Sequence, residues 1–194
     1  MADFKIKPAA GTGNKLILES QDGTDILTTS DSGATLASTV SISLDNATAP
    51  AFLVQATAMS NLAIDTDVII DYDTVIKNVG GGTFDTTLGT NSYTAPVSGL
   101  YQINVCTFYD LFPNNVTDVR LKIVTSNRTY ERRYAKFINA EHSSNYDCTF
   151  DFSQLVDLDA SDTCVIKIYQ NGGSAAGDLE AANSYFSGFL VSKY

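Results

Sequence analysis

Residues 93–105 read YTAPVSGLYQINV. Proline presets the backbone for a turn and glycine closes one without steric cost, so Pro96 and Gly99 form a turn that delivers the chain into a strand. Beyond it Tyr101, Ile103 and Val105 point to one side, and Gln102 and Asn104 to the other. Alternation of that kind is the mark of a strand with one wet face. The pattern recurs downstream. Val119, Leu121 and Ile123 oppose Arg120 and Lys122, and Cys148, Phe150 and Phe152 oppose Thr149, Asp151 and Ser153. Turn dipeptides punctuate the runs, including Asp22-Gly23 and Asn171-Gly172. No segment carries a sustained 3.6-residue apolar period. Short alternating strands separated by turn signals predict an all-β sandwich or barrel.

Two further strands do not alternate. Ala51-Phe52-Leu53-Val54 is apolar on both sides. In YFSGFLV, Phe186 and Leu190 share one face, while Tyr185, Phe189 and Val191 share the other. A strand apolar on both faces has to be covered on both. The opposing sheet supplies one cover. In a chain with almost no helix, another copy of the same protein is the most economical second cover. The sequence thus predicts an oligomer whose inner sheet contains the first and last strands of the head. Phe52, Tyr185, Phe189 and Val191 are expected at the subunit interface, and Tyr101, Ile103, Val105, Phe150 and Phe152 in the core.

Composition narrows the function classes. The 194 residues fit one medium domain with a small appendage, and apolar residues make up 44% of the chain, enough for a full core. A net charge of −10 argues against a nucleic-acid partner, because neutralising phosphates needs a basic face. The start MADFKIKPAAGTG has no apolar run behind its charges, and no stretch is long enough to span a bilayer, so synthesis in the host cytoplasm without membrane insertion is expected. The cysteines, Cys106, Cys148 and Cys164, match neither a zinc pattern nor a disulfide framework, and the last two fall in strand patterns as small hydrophobes. The sequons at Asn46, Asn115 and Asn127 are chance matches without secretion.

The chain changes character near Asn46. Residues 1–48 are rich in Gly, Ser, Thr and Asp, with short apolar pieces such as Leu16-Ile17-Leu18 and Ile26-Leu27, and with QDGT and SDSG as turns. Such a segment buries too little apolar area to offset its own ordering entropy. It must lean on other copies of itself or on a larger partner. The expected division is therefore an anchoring or trimerising segment at 1–48 and a head at 49–194.

The run YTAPVSGLYQINV, with Asn78 and Phe84 ahead of it and the closing FSGFLVSKY, resembles the globular-head domain of complement component one q. That resemblance covers roughly residues 50–194. It implies a ten-strand jelly roll shared with tumour necrosis factor, a tight homotrimer and no enzyme activity. It also makes sense of Gly188, where the missing side chain lets a backbone or ring approach closely. A secretory signal and a collagen-like stalk, present in animal members, are missing here. The first 40 or so residues instead resemble N-terminal segments of structural proteins from marine tailed phages.

Candidate chemistry is sparse. The single histidine, His142, sits in a polar stretch, and a lone loop histidine is usually solvated. No nucleophile elbow, phosphate loop or HExxH motif occurs. Asp65, Asp67, Asp71 and Asp73 lie close together, as do Asp157, Asp159 and Asp162; calcium wants converging oxygens, but neither group matches an EF-hand loop. No cofactor is expected, with calcium as the alternative left open. Arg128, Arg132, Arg133 and Lys136 form a basic concentration, expected to pair with Glu131, Glu141 or a neighbouring subunit, or to meet an acidic polysaccharide. Charges of this kind also guard exposed strand edges. These observations predict a homotrimeric structural protein on a virion surface, a capsid decoration spike or short head fibre docked to other virion proteins through residues 1–48. A receptor-binding tail-fibre tip recognising a host surface glycan is the alternative.

Overall fold

The computed structural model describes residues 17–19, 25–30, 33–36, 49–113, 115–135, 146–173 and 177–194. The QDGT turn, Lys136, Glu141 and His142 lie outside them. The chain divides into two compact units, residues 1–47 and 48–194. In the first, β1 (Ile17–Glu19), β2 (Asp25–Ser30) and β3 (Gly33–Leu36) form an antiparallel meander in the order β1-β2-β3.

The second unit is a sandwich of two antiparallel sheets. Its strands are β4 (Ala51–Gln55), β5 (Asp67–Ile69), β6 (Thr74–Val79), β7 (Thr83–Asp85) and β8 (Ser92–Thr94). They continue with β9 (Gly99–Phe112), β10 (Val116–Thr125), β11 (Thr129–Ala135), β12 (Tyr146–Leu158), β13 (Thr163–Gly172), β14 (Asp178–Leu179) and β15 (Tyr185–Lys193). One sheet runs β11-β10-β13-β8-β7, with β5 added on β13. The other runs β12-β9-β15-β4-β6, with β14 added on β9. The two five-strand paths are the jelly roll; β5 and β14 are short additions to it. Each sheet holds strands distant in sequence, because successive long strands cross between layers and bury their apolar sides against one another.

The turn at Pro96–Gly99 places the Tyr101 ring fully in the core, where its hydroxyl donates to the Val97 carbonyl at 2.8 Å. That bond ties the strand back to the turn that feeds it. Ile103 and Val105 follow it inward, as do Val119, Leu121 and Ile123 on the facing sheet. Phe150 and Phe152 are buried, with Cys148 half-buried beside them. Two aromatic clusters join the layers. In one, Phe52 lies 4.1 Å from Tyr93 and 4.8 Å from Phe186 between ring centroids, and Phe84 closes the group at 5.0 Å from Phe52. In the other, Tyr109, Phe112 and Tyr134 surround Phe150 at 4.9–5.6 Å.

One expectation is corrected here. Phe52 was expected at a subunit interface, yet it is 4% exposed and its ring fills the sandwich interior. Both faces of Ala51–Val54 are apolar, so alternation alone could not choose between them. Gly188 decides it: β15 pairs with β4 so that Gly188 stands beside Phe52, and the hole it leaves takes that ring.

Candidate functional site

β4 and β15, the two strands with apolar residues on both sides, are hydrogen-bonded neighbours in the middle of one sheet. Their inward side chains enter the core. The outward ones meet in a row set by register: Val79 of β6, Ala51 of β4, Phe189 of β15, Gln102 of β9 and Leu155 of β12. Phe189 is 47% exposed, Leu155 43% and Val79 40%. Val191 is 51% exposed at the irregularity between Leu190 and Ser192, and Leu53 is partly covered on the same face. Phe189 thus leaves an exposed aromatic ring between Ala51 and Gln102, in a row that ends in aliphatic side chains on both sides, and apolar area left in water is unfavourable.

Two residues along each strand, the face turns polar. Gln102 donates to Ser153 Oγ at 2.9 Å, and Ser153 donates to Asn104 Oδ1 at 2.5 Å. Next to this network is a shallow pocket of about 230 Å³ lined by Asn104, Cys106, Asp151, Ser153, Tyr185 and Ser187. Tyr185, expected with Phe189 at an interface, is half-buried in this polar half, its hydroxyl donating to the Ala182 carbonyl at 2.7 Å. Burial, reinforced by Asp151, pushes the Cys106 thiol up to about 11. A thiol so raised stays protonated at neutral pH and is a poor nucleophile. Burial also raises Cys148 and Cys164 to about 12.

The aspartate groups do not gather. Asp67 pairs with Lys122 Nζ at 2.6 Å, while Asp71 accepts the Gly89 N–H at 2.7 Å. Asp65 accepts the Gly172 N–H at 3.2 Å. Asp157 holds Arg128 at 3.0 Å and the Tyr130 hydroxyl at 2.8 Å, and Asp162 accepts the Asp159 N–H at 2.9 Å. Among the described residues, no three carboxylate, thiol or imidazole groups converge.

The basic run also disperses. Arg128 sits at one end with Asp157, and Arg132 lies over the Tyr134 ring at 5.4 Å. Arg133 binds Asp118 at 2.7 Å. Glu131, expected to pair within its own run, instead approaches Lys122 at 3.7 Å and Arg120 at 4.0 Å on the neighbouring strand. Asp118 is the residue that sequence reading passed over: it is 2% exposed and receives Arg120 Nε and Arg133 Nε, each at 2.7 Å.

The second unit is thus a jelly roll with one outward sheet face that is apolar at one end and polar at the other. The chain belongs to the C1q domain family, whose model matches residues 51–191. Among solved structures, it is similar to the globular domain of the zebrafish complement 1qA protein, with a TM-score of 0.53 and 17% identity. That alignment covers 75% of this chain and 99% of the zebrafish one. No curated protein matches the chain. Domains of this family commonly form trimers, and they are generally binding or structural modules rather than enzymes.

Proposed function

We propose that the protein is a non-enzymatic homotrimeric structural spike on the surface of a tailed-phage particle, with its C1q head as a trimeric knob and residues 1–48 as the attachment segment. The observation that carries the trimer is the exposed row of Val79, Phe189 and Leu155 with Val191, in a sheet whose other side is already the core. A hydrophobic face of this kind fits an obligate subunit interface, for which roughly 2,000–5,000 Å² of buried area is usual. The virion role is supported by the N-terminal resemblance and by the composition of residues 1–48, which favours docking over independent folding.

Sedimentation equilibrium of the purified full chain tests the assembly. A mass of three chains that persists at micromolar concentration is expected, and a stable monomer would refute the proposal. The virion role is tested by deleting the gene from a producing phage and counting copies on purified particles after complementation. Hundreds of copies per particle indicate the capsid, and absence from particles ends the reading.

A further inference from the structure

The opposite sheet carries an outward face of another character. β10 presents Asp118, Arg120 and Lys122; β11 beside it presents Arg133 opposite Arg120 and Glu131 opposite Lys122. On its other side β13 presents Tyr169 opposite Arg120 and Lys167 opposite Lys122. Asp67 of β5 lies opposite Tyr169. Four of the chain's 12 cationic side chains thus meet on one face of a protein whose net charge is −10.

Edge protection accounts for Arg133, since β11 ends the sheet, but not for the others. Arg120, Lys122 and Lys167 lie on strands paired on both sides. Arg120 faces Arg133 and Lys122 faces Lys167 directly across the ladder; Asp118 bridges the two arginines and Asp67 and Glu131 pair Lys122, which leaves Lys167 as the unbalanced cation of the face. The face also contains its own scaffold. Asp118, 2% exposed, takes one Nε from each arginine and holds the two guanidinium groups side by side. In both bonds the Nε is the donor, so the terminal nitrogens of each fork are not used by Asp118. Arg120 is further fixed 4.8 Å above the Tyr169 ring, and Arg133 remains 57% exposed. Lys167 has no ion pair with a described residue.

We propose that this face, through Arg120, Arg133 and Lys167, binds an acidic polysaccharide: a polymer bearing carboxylate or sulfate groups spaced by neutral hydroxyls. The cations take the anionic groups, bidentate at the guanidinium forks. Glu131 and Asp67, interleaved between them, accept hydrogen bonds from sugar hydroxyls. A densely charged phosphate polymer fits less well, because Glu131 and Asp67 stand among the cations and repel closely spaced anions, whereas the wider spacing of a polysaccharide's anionic groups leaves hydroxyls opposite them. The site lies on a different sheet from the apolar row and does not depend on the trimer.

The test is calorimetric titration of the full-length protein at low salt with an oligogalacturonate, a chondroitin sulfate oligomer of matched length, neutral dextran and a DNA duplex. At least one acidic oligosaccharide binds, dextran does not, and the affinity falls steeply as salt screens the contact. Arg133→Gln and Lys167→Gln, both at partly exposed positions, each weaken binding several-fold, and together by about tenfold or more. Arg132→Gln, on the same strand as Arg133 but the other face, leaves it unchanged. Melting curves of the three variants establish that they are folded. Binding of the uronate alone assigns a carboxylate-bearing polymer, and binding of the chondroitin sulfate alone a sulfated one; either supports the site. The proposal is overturned if neither oligosaccharide binds, if Arg132→Gln costs as much as Arg133→Gln, or if the DNA duplex binds more tightly than both.

Discussion

Gly188 and Phe52 are fitted to each other across paired strands: a β-carbon placed on Gly188 would lie 2.8 Å from both Cε1 and Cζ of the Phe52 ring. It would also meet Ile103 Cδ1 at 2.7 Å. Neither neighbour has a free direction to move, since the Phe52 ring is already packed against Tyr93, Phe84 and Phe186. Gly188→Ala is therefore an overpacking mutation, expected to cost about 1–3 kcal/mol. Chemical denaturation measures it, and an unchanged midpoint would mean that the ring is not held as described.

Tyr101 separates packing from hydrogen bonding at one position. Tyr101→Phe keeps the buried ring and removes the bond to the Val97 carbonyl, an expected loss of about 0.5–1.5 kcal/mol. Tyr101→Ala removes the ring from the core as well and should cost about 3–5 kcal/mol or prevent folding. Equal losses for the two variants would show that the turn bond, not the ring, carries the residue's contribution.

Phe189 tests the apolar face without touching the core. Its ring is 47% exposed and stands between Ala51 and Gln102 on the outward side. Phe189→Asp should shift the sedimenting species from trimer toward monomer while secondary structure is retained. Phe52→Ala should act the other way, lowering stability by about 3–5 kcal/mol through the core. A Phe189→Asp protein that remains trimeric with unchanged melting would place the interface elsewhere.

Much of this is legible in the sequence. Tyr101, Ile103, Val105, Phe150 and Phe152 declare their burial because each alternates with polar neighbours, and period two is a local property. That β4 and β15 share a sheet was legible for a different reason, since both are apolar on two sides and were read into one inner sheet; their direct pairing was not. What could not be read locally was the side of β4 that turns inward, because Phe52 and Leu53 are equally apolar. That choice depends on Gly188, more than a hundred residues away. The Asp118 cluster was hidden likewise. The register shift between Val116 and Asp118 and the pairing of β10 with both β11 and β13 bring Arg120, Arg133 and Lys167 together, whereas their spacing in the chain suggests only scattered charge. The basic run from Arg128 to Lys136 looked like a patch because it is contiguous, but alternation sends Arg132 and Arg133 to opposite faces.

Acid should destabilise the head through Asp118. Burial raises its carboxyl, but the hydrogen bonds and charges of Arg120 and Arg133 outweigh that, and the group titrates below the ordinary aspartate range. A carboxyl lowered in the folded state contributes stability that is complete above its unfolded pKa, about 3.9, and is lost as pH falls through the folded value. The melting temperature should therefore hold from neutral pH downward and then fall below about pH 4. Asp118→Asn should be less stable at pH 7 and show a flatter acid limb. Parallel acid limbs for the two proteins would assign the acid sensitivity to other carboxyls.

The last prediction separates attachment from folding. The compact unit of the head begins at Thr48 and the family match at residue 51, so the jelly-roll core is built without the first strands. Residues 1–48, rich in Gly, Ser, Thr and Asp, are the segment proposed above to attach the head. Contacts in separate units contribute nearly additively, so losing one set should leave the other intact. Deleting residues 1–45 should thus yield a soluble trimer with the stability of the intact head, which no longer joins the particle. Complementing a phage deleted for this gene with the truncated form measures the second half of the statement. Truncated heads present on particles at normal copy number would place docking in the knob. Aggregation of the truncated protein would mean that the N-terminal strands cover part of the head, and the boundary near residue 48 would have to move.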